Sequence, residues 1–367
     1  MVGGGVVGAA VARELARTGA EVLLLDAGPL PGNASWAGAG MLSPIGEGLE
    51  EGPFLELGLR ALRQYPRFVE TLQQETGITA EYRASGMVQI GLDEEEVQFL
   101  QKREEVLRNR GLSVCWLDPE ELGQRVKGMS PGALGGLLIP EDHQVDNRAL
   151  THALRVGARM VGVRFQEGST VEAILHDGKV VTGLELAGGT RVDVGVVVLA
   201  AGAWSGRIRG LPRSLPVRPV RGQMLALLPS DGMGPHMASS PRVYLVPRGD
   251  GRVLVGSTME EAGYAPHPTL EGIGSLMDGA LELLPGLADA PLVETWAGLR
   301  PGTPDGLPVL GPDPDLEGLI YATGHFRNGI LLAPATAEIV TELVQGRTSP
   351  VSLASFEPQR WDREGSP

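Results

Sequence analysis

The first ten residues, "MVGGGVVGAA" (1–10), place Gly3, Gly5 and Gly8 in the spacing G-x-G-x-x-G. In that spacing glycines permit a tight turn, a close approach of a pyrophosphate and close packing of a helix on a strand. A glycine-rich turn without a ligand can have the same spacing, so the residues that follow decide between the two interpretations.

The next two segments complete a βαβ pattern. Residues 9–19, "AAVARELARTG", predict an amphipathic helix that ends at Gly19, and residues 21–28, "EVLLLDAG", predict an apolar strand that ends at Asp26. Asp26 follows Gly8 by eighteen residues, where a carboxylate binds the ribose diol of an adenine nucleotide. The stretch therefore predicts a dinucleotide-binding unit whose helix N-terminus faces the phosphates.

The strand that should precede this helix is short. Only Met1 and Val2 come before Gly3, whereas a first strand of several apolar residues is expected. We expect the natural chain to begin upstream of Met1, and a shortened first strand is the alternative.

Composition excludes several classes of protein. The chain has 367 residues, enough for two domains or for one large α/β unit with an insertion. Its net charge of -14 argues against a nucleic-acid-binding surface, which needs clustered Lys and Arg. No apolar run approaches the ~18 residues of a membrane span, and no signal peptide is recognisable. The sequence predicts a cytoplasmic protein that binds neither membrane nor nucleic acid.

Two distant segments indicate which nucleotide is bound. "VVVLAAGAWS" (196–205) and "LIYATGHFRNGILLAPATAEIVTELV" (319–344) are apolar strands that run into glycine-rich turns. An NAD domain holds its ligand within one contiguous unit, whereas these segments return to the cofactor from far along the chain, which favours FAD. A helix predicted from about 330 to 345 would stabilise negative charge on the reduced flavin with its N-terminus.

Four longer motifs, together with the glycine fingerprint, resemble a known family. They are "WAGAGML" (36–42), "YLVPRGDGRVLVGSTM" (244–259), "WAGLRPGTPDGLPVLGP" (296–312) and "GHFRNGILLAPAT" (324–336). The chain resembles the FAD-dependent D-amino-acid oxidase group over nearly its whole length, and within that group the glycine oxidases of thiamine biosynthesis.

The resemblance implies an α/β fold with two domains. One is an FAD-binding Rossmann-like domain of the glutathione-reductase type, and the other is a substrate domain built on a mixed or antiparallel sheet with helices. The FAD-binding domain is expected to be discontinuous, over residues 1–80, 145–215 and 300–367. The substrate domain is expected over residues 81–144 and 216–299.

Local signals agree with this architecture. Asp146 is placed to cap a helix that follows it. "STVEAILHDGKVVTGLEL" (169–186) predicts a hairpin that turns at Asp177 and Gly178. "LEGIGSLMDGALELLPG" (270–286) predicts a helix in the second half of the substrate domain.

Oxidation of an amino acid at a flavin needs an anchor that aims the substrate Cα–H at the flavin N5. A planar guanidinium binds a carboxylate through two parallel hydrogen bonds, which makes Arg300 and Arg327 the candidates; a structural ion pair is the alternative for each. The resemblance assigns the carboxylate to Arg300, with the Tyr244 hydroxyl as a second donor. These two are the predicted catalytic residues.

The resemblance also implies the remaining site residues. Arg327, Met41 and Met259 are expected to line the substrate pocket, and His325 is expected to shape the flavin loop without moving protons. The residues expected to contact FAD are Gly3, Gly5, Val6, Val7, Gly8, Asp26, Ala27, Ser35, Ala39, Gly40, Met41, Val171, Ala201, Gly202, Trp204, Arg300, His325, Arg327, Asn328, Gly329, Ile330 and Leu331.

The FAD is expected to be bound noncovalently. Related sarcosine oxidases attach flavin through a cysteine late in the chain, and others use a histidine after the first ribose-binding strand. Cys115 is the only cysteine, and residues 27–50 contain no histidine. A single thiol also excludes an internal disulfide and a zinc cluster, no metal ligand is predicted, and we expect Cys115 to be a small buried residue.

The predicted activity is oxidative deamination of glycine and other small amines by hydride transfer to flavin N5. Oxygen then reoxidises the flavin to give hydrogen peroxide. The imine is used in thiazole synthesis for thiamine or is hydrolysed to glyoxylate and ammonia. The predicted partners are thus a small amino acid or amine and oxygen, and the resemblance implies a homo-oligomer, a dimer or a tetramer.

Three alternatives stay open. The same fold also serves oxidases of sarcosine, proline or D-amino acids. It also serves a dehydrogenase that passes electrons to a quinone, although no basic amphipathic helix for a membrane surface is present. A flavin domain of an RNA-modification enzyme is the third alternative, and the acidic charge disfavours it.

Overall fold

The computed structural model describes residues 1–28, 34–48 and 52–362. The helices within them are α1 (Val6–Arg17), α2 (Ala34–Ala37), α3 (Pro53–Thr76), α4 (Glu94–Asn109), α5 (Pro119–Arg125), α6 (Asn147–Met160), α7 (Leu270–Leu283) and α8 (Gly329–Val344). The strands are β1 (Leu23–Asp26), β2 (Met41–Leu42), β3 (Met87–Gly91), β4 (Cys115–Leu117), β5 (Gly135–Ile139), β6 (His143–Gln144), β7 (Arg164–Glu167), β8 (Val171–His176), β9 (Val181–Leu186), β10 (Arg191–Asp193), β11 (Val197–Leu199), β12 (Arg218–Leu227), β13 (Met237–Ser239), β14 (Tyr244–Pro247), β15 (Val253–Gly256), β16 (Leu292–Gly302), β17 (Val309–Pro312) and β18 (Leu319–Thr323).

The first sheet is built around the start of the chain. Its order is β7, β1, Val2, β11, β18 and β17, and every pairing is parallel except that of β17 with β18. The Val2 amide donates to the Val198 carbonyl at 2.9 Å, and the Leu25 amide donates to the Met1 carbonyl at 2.9 Å. Met1 and Val2 thus lie between β1 and β11 at the centre of the sheet.

Both faces of this sheet are buried, because successive residues of a strand point to opposite sides. Leu24 and Val198 pack into the core formed with α1, α3, α6 and α8. Leu25 and Val197 pack into a second core, which the antiparallel strands β8 and β9 cover. The sheet therefore occupies the middle layer of a three-layer unit.

The helices predicted from the sequence are present. α1 packs against α6 and α8, and its fully buried small side chains, Ala9 and Ala10, permit this close contact. Asp146 caps α6, since its side chain accepts hydrogen bonds from the amides of Arg148 and Ala149. No helix in the described part of the chain is both long and apolar enough to cross a membrane.

The hairpin predicted at Asp177 and Gly178 is also present. β8 and β9 pair in antiparallel register, and β10 extends them to a three-stranded sheet. The Asp177 carboxylate accepts hydrogen bonds from the amides of Lys179 and Val180, both at 2.9 Å. A side chain that binds the backbone two and three residues ahead stabilises a tight turn.

The second large sheet has eight strands, in the order β16, β12, β15, β14, β13, β3, β5 and β4. All of its pairings are antiparallel except that of β13 with β3. Its strands come from residues 87–139 and 218–302, and the division of the chain into two domains remains a proposal. β16 runs through the predicted boundary between 299 and 300, so Arg300 belongs to this sheet.

The prediction that Cys115 is buried is wrong, because the structure exposes it. Cys115 begins β4, the edge strand of the eight-stranded sheet. Its neighbour Leu117 faces the core and is 3% exposed. Cys115 and Leu117 are two residues apart and so share a side of the strand, and the exposure of Cys115 comes from its position at the start of this edge strand.

Candidate active site

Almost every predicted site residue lines one cavity. Its volume is about 950 Å³, and its lining includes the carboxyl ends of β1, β11 and β18, the first turns of α1 and α8, and residues of the eight-stranded sheet. The predicted residues that line it are Gly3, Gly5, Val6, Val7, Gly8, Asp26, Ala27, Ser35, Ala39, Gly40, Met41, Val171, Ala201, Gly202, Trp204, Tyr244, Arg300, His325, Arg327, Asn328, Gly329 and Ile330. Ligands of open α/β sheets bind at these carboxyl ends.

Two predicted residues lie outside this lining. Met259 follows β15 on a loop, and its side chain is 63% exposed, so the structure does not place it in the cavity wall. Leu331 is 1% exposed and packs into the helical core. Neighbouring residues of a helix point in different directions, so Ile330 lines the cavity while Leu331 does not.

The glycine fingerprint forms a turn that tolerates no side chain. Gly3 has a φ of +99°, and a Cβ on Gly8 would lie 2.0 Å from the Gly3 carbonyl oxygen. The first turn of α1 contains no acidic residue, so its amides present a partial positive charge to an anion. This cradle fits the pyrophosphate of a dinucleotide.

Asp26 lies beside the same turn. Its Oδ2 accepts a hydrogen bond from the Gly4 amide at 2.6 Å, and its Oδ1 accepts one from the Gly28 amide at 3.2 Å. These contacts fix the carboxylate at the end of β1, and each oxygen keeps capacity for another donor. Asp26 is therefore placed to accept a hydrogen bond from a ribose hydroxyl bound in the cavity.

Arg155 supports the turn from behind, and the sequence analysis missed it. Its Nη1 donates to the Gly4 carbonyl at 2.8 Å, and its Nη2 donates to Glu167. Arg155 is 6% exposed. No local signal marks it, because an arginine in an amphipathic helix such as α6 usually faces solvent.

The turn after β18 brings the N-terminus of α8 to the cavity. Asn328 and Gly329 line it, and the first turn of α8 contains no acidic residue. His325 is 3% exposed, and its Nε2 lies 3.1 Å from the Thr336 hydroxyl. Burial lowers the pKa of His325 to about 3, so this imidazole is neutral at physiological pH.

Arg300 extends from β16 into the cavity. Its Nη1 donates to the Thr258 carbonyl at 3.1 Å, and its Nη2 donates to the Ser257 hydroxyl at 2.7 Å. Burial lowers the pKa of Arg300, and the nearby Tyr244 oxygen opposes that shift. Within residues 1–28, 34–48 and 52–362, no carboxylate forms an ion pair with Arg300. The guanidinium is held by neutral groups and keeps its charge available.

Gly222 makes room for this guanidinium. It lies on β12, which pairs with β16, and a Cβ on Gly222 would lie 2.2 Å from both Nη atoms of Arg300. Any larger residue would therefore displace the side chain. No local signal in the sequence marks Gly222, because its role depends on the register of two strands that are far apart in the chain.

Tyr244 lies on β14 and lines the cavity. Its hydroxyl donates to the Met224 sulfur at 3.2 Å. A thioether is a weak acceptor, so an incoming carboxylate would be a stronger partner for this donor. The role of this hydroxyl as a second donor to the substrate remains a prediction.

Arg327 has a partner, in contrast to Arg300. Its Nη2 lies 2.6 Å from the Glu47 carboxylate, and the two side chains are 35% and 10% exposed. Both residues line the cavity. The structural ion pair considered for Arg327 is therefore present, and Glu47 is a cavity residue that the sequence analysis missed.

Comparison with known proteins agrees with this geometry. The chain is 39% identical over 371 residues to the bifunctional protein ThiO/ThiG of Synechocystis sp., with 98% of this chain and 53% of that protein covered. It is 36% identical to the glycine oxidase of Pseudomonas aeruginosa, with 98% and 97% covered. The chain thus spans about half the length of the bifunctional relative and nearly all of the second one.

A solved structure and a protein family match over the same range. The crystal structure of glycine oxidase from Geobacillus kaustophilus superposes with a TM-score of 0.94 at 33% identity, over 98% of this chain and 97% of that one. Residues 1–343 match the family described as FAD dependent oxidoreductase. The chain therefore belongs to the DAO family of FAD-dependent oxidoreductases, and its cofactor is FAD.

Proposed function

We propose that this protein oxidises glycine and other small amino acids to imines, with oxygen as the electron acceptor and hydrogen peroxide as a product. The observation that carries the proposal is Arg300. Its guanidinium lines the cavity, is held by neutral groups, and has no carboxylate ion-pair partner in the described residues. The similarity to glycine oxidases supports the substrate class.

Arg300 would bind the substrate carboxylate through its two terminal nitrogens. The interaction gains strength because burial removes part of the water that would otherwise solvate both charges. The planar fork also fixes the orientation of the substrate. Tyr244 adds a donor from β14, when its hydroxyl turns from the Met224 sulfur to the carboxylate.

FAD, when bound, supplies the oxidant that removes a hydride equivalent from the substrate Cα and passes the electrons to oxygen. The protein orients the substrate and excludes water. His325 does not serve as a proton donor, because its ring is neutral and bound to Thr336 inside the protein. The substrate amine is expected to lose its proton before the reaction.

We propose that FAD binds with its pyrophosphate at the first turn of α1, its ribose at Asp26 and its flavin near the first turn of α8. The binding is proposed to be noncovalent, since Cys115 lies on the edge strand β4 and is not among the cavity-lining residues. Acid or heat precipitation should release the yellow cofactor into the supernatant. Flavin that stays with the precipitated protein would contradict this proposal.

The fate of the imine and the state of the protein in the cell are also proposals. The resemblance to the glycine oxidases of thiamine biosynthesis supports use of the imine in thiazole synthesis, with hydrolysis to glyoxylate and ammonia as the competing fate. It likewise supports a homo-oligomer, a dimer or a tetramer, and a location in the cytoplasm is proposed from the composition of the chain. Light scattering coupled to size-exclusion chromatography measures the oligomeric state.

Oxygen consumption by the purified holoenzyme tests the main proposal. The substrate panel contains glycine, sarcosine, proline, D-alanine and ethylamine, and peroxide is measured in parallel. We expect turnover of the small amino acids, one peroxide for each oxygen consumed, and poor turnover of ethylamine, which lacks a carboxylate. Flavin reduction by amino acids without peroxide, together with electron transfer to an added quinone, would favour the dehydrogenase alternative.

A further inference from the structure

The segment 34–41 lines the cavity, and its own local structure is too short to stabilise its conformation. Seven of its residues line the cavity, which are Ala34, Ser35, Ala37, Gly38, Ala39, Gly40 and Met41. Its only helix, α2, has four residues, too few for a stable isolated helix. The position of this segment therefore depends on contacts from elsewhere in the fold.

Three side chains from other elements bind its backbone carbonyls. The Trp296 indole Nε1 on β16 donates to Ala37 at 2.9 Å. The Asn147 amide at the start of α6 donates to Ser35 at 2.8 Å and to Trp36 at 3.1 Å. Arg248, just after β14, donates to Ala39 at 2.8 Å. Carbonyls at the end of a helix lack helical partners, and these donors supply them.

Arg148 joins the segment to the eight-stranded sheet. Its guanidinium carbon lies 3.7 Å from the ring centroid of Trp36 and 4.8 Å from that of Trp296. The same guanidinium binds both carboxylate oxygens of Glu294 on β16, at 3.0 and 3.1 Å. We call Arg148, Trp36, Trp296 and Glu294 the Arg148 clamp. Only a planar guanidinium can stack on two rings and bind a carboxylate with both nitrogens.

The clamped segment reaches the glycine fingerprint through Ser35. The Ser35 hydroxyl accepts a hydrogen bond from the Val6 amide at 2.9 Å, and Val6 is the first residue of α1. A movement of α2 would therefore change the first turn of α1, where the cofactor phosphates are proposed to bind. β16 also carries Arg300, so one strand supports both the segment at the cofactor and the anchor for the substrate.

We propose that Arg148 is a positioning residue for FAD: the Arg148 clamp holds segment 34–41 against the cavity from the eight-stranded sheet and so sets how firmly the protein retains its cofactor. This inference rests on the proposal that the cavity binds FAD. It assigns to Arg148 a role that depends on its shape as well as its charge.

The test compares FAD release from the holoenzyme of Arg148→Lys and of a matched control. Arg60→Lys is the control, because Arg60 also binds a carboxylate, that of Glu338, through two nitrogens. The two ion pairs are similarly exposed: 32% for Arg60 and 35% for Glu338, against 28% for Arg148 and 29% for Glu294. Flavin fluorescence after dilution reports the free FAD. We expect Arg148→Lys to weaken FAD retention about tenfold and Arg60→Lys to leave it unchanged, at comparable losses in Tm.

Glu294→Gln gives a second readout that keeps the shape of the clamp. It should weaken FAD retention less than Arg148→Lys does, and tryptophan emission should report the altered surroundings of Trp36 and Trp296. Unchanged FAD retention in Arg148→Lys, or equal weakening in Arg60→Lys, would overturn the inference. Asp26→Ala separates the two levels: if it weakens FAD binding while Arg148→Lys does not, the clamp proposal fails and the cavity assignment stands. If neither changes FAD binding, the cavity assignment fails as well.

Discussion

The cavity has two regions that are built in different ways. The region at Gly3, Gly8 and Asp26 is made mainly of backbone, and these three residues lie within the first 28 of the chain. The region at Arg300 is made mainly of side chains, and its parts come from β12, β14, β16 and the loop after β15. The first region is built from residues close together in the chain, with support from Arg155 and Ser35, whereas the second depends on the register of a sheet.

This difference separates what each region can do. A backbone cradle with a helix N-terminus binds a phosphate group by its charge and shape. The Arg300 region instead presents one cation, held by the Thr258 carbonyl and the Ser257 hydroxyl, to a small anionic group. Substitutions in one region should therefore affect FAD retention, and substitutions in the other should affect substrate turnover.

The largest expected effect belongs to Arg300. Arg300→Ala should lower kcat/KM for glycine by an amount equivalent to about 3–5 kcal/mol of transition-state stabilisation, as for a broken buried charge pair. Arg300→Lys should raise KM sharply. Both variants should retain FAD. Steady-state kinetics on glycine and on ethylamine check this, because an amine without a carboxylate should lose little further activity. An equal loss on both substrates would make Arg300 structural and would direct attention to Arg327.

Gly222 tests whether the sheet positions the anchor. Gly222→Ala should push the guanidinium from its site, because the added Cβ would lie 2.2 Å from its nitrogens. We expect a lower kcat/KM for glycine, together with a loss of folding stability of about 1–3 kcal/mol, the usual range for overpacking. Gly274→Ala on α7 is a control, because a Cβ there meets no atom within 4 Å. Normal kinetics in Gly222→Ala would show that Arg300 can bind substrate from another position.

The two regions also differ in how far the sequence predicts them. Spacing alone placed Asp26 beside the glycine turn, because the fingerprint and the acid belong to one local βαβ unit. Gly222, Glu47 and Arg155 could not be found in the same way. Each of them acts on a residue that lies far away in the chain, and the contact exists only after the sheets and helices have assembled.

Two further differences have the same origin. Met259 follows a strand motif that resembles a family pattern, but the chain leaves β15 at Gly256 and the side chain faces solvent. Cys115 lies in an apolar stretch, but β4 is an edge strand. In both cases the local sequence suggests burial, and exposure depends on where the residue lies relative to the assembled sheet.

Asp26 tests the cofactor region by itself. Asp26→Ala should weaken FAD binding by about 1–3 kcal/mol, through loss of the hydrogen bonds that a carboxylate forms with a ribose. KM for glycine at saturating FAD should stay near that of the unmodified protein. Titration of FAD into the apoprotein, followed by flavin fluorescence, measures the change. Unaltered FAD affinity would remove Asp26 from the site.

His325 gives the smallest effect, and it concerns stability. Burial lowers its pKa in the folded state to about 3, against an ordinary value of 6.5. Between these values the unfolded chain binds a proton that the folded protein excludes, so stability rises with pH through this window and is lost as the pH falls below about 6.5. By this linkage the neutral ring lowers the free energy of unfolding by about 1 kcal/mol at pH 5.5 relative to pH 7.

His325→Gln keeps a polar partner for Thr336. It should remove this part of the decrease in the free energy of unfolding between pH 7 and pH 5.5, as measured by urea unfolding of the holoenzyme at both pH values. His152→Gln on α6 is the matched control, because it makes the same substitution at an exposed position. The same acid loss in His325→Gln as in the unmodified protein would mean that His325 takes up a proton in the folded state, and the neutral role given to it at the flavin loop would then be wrong.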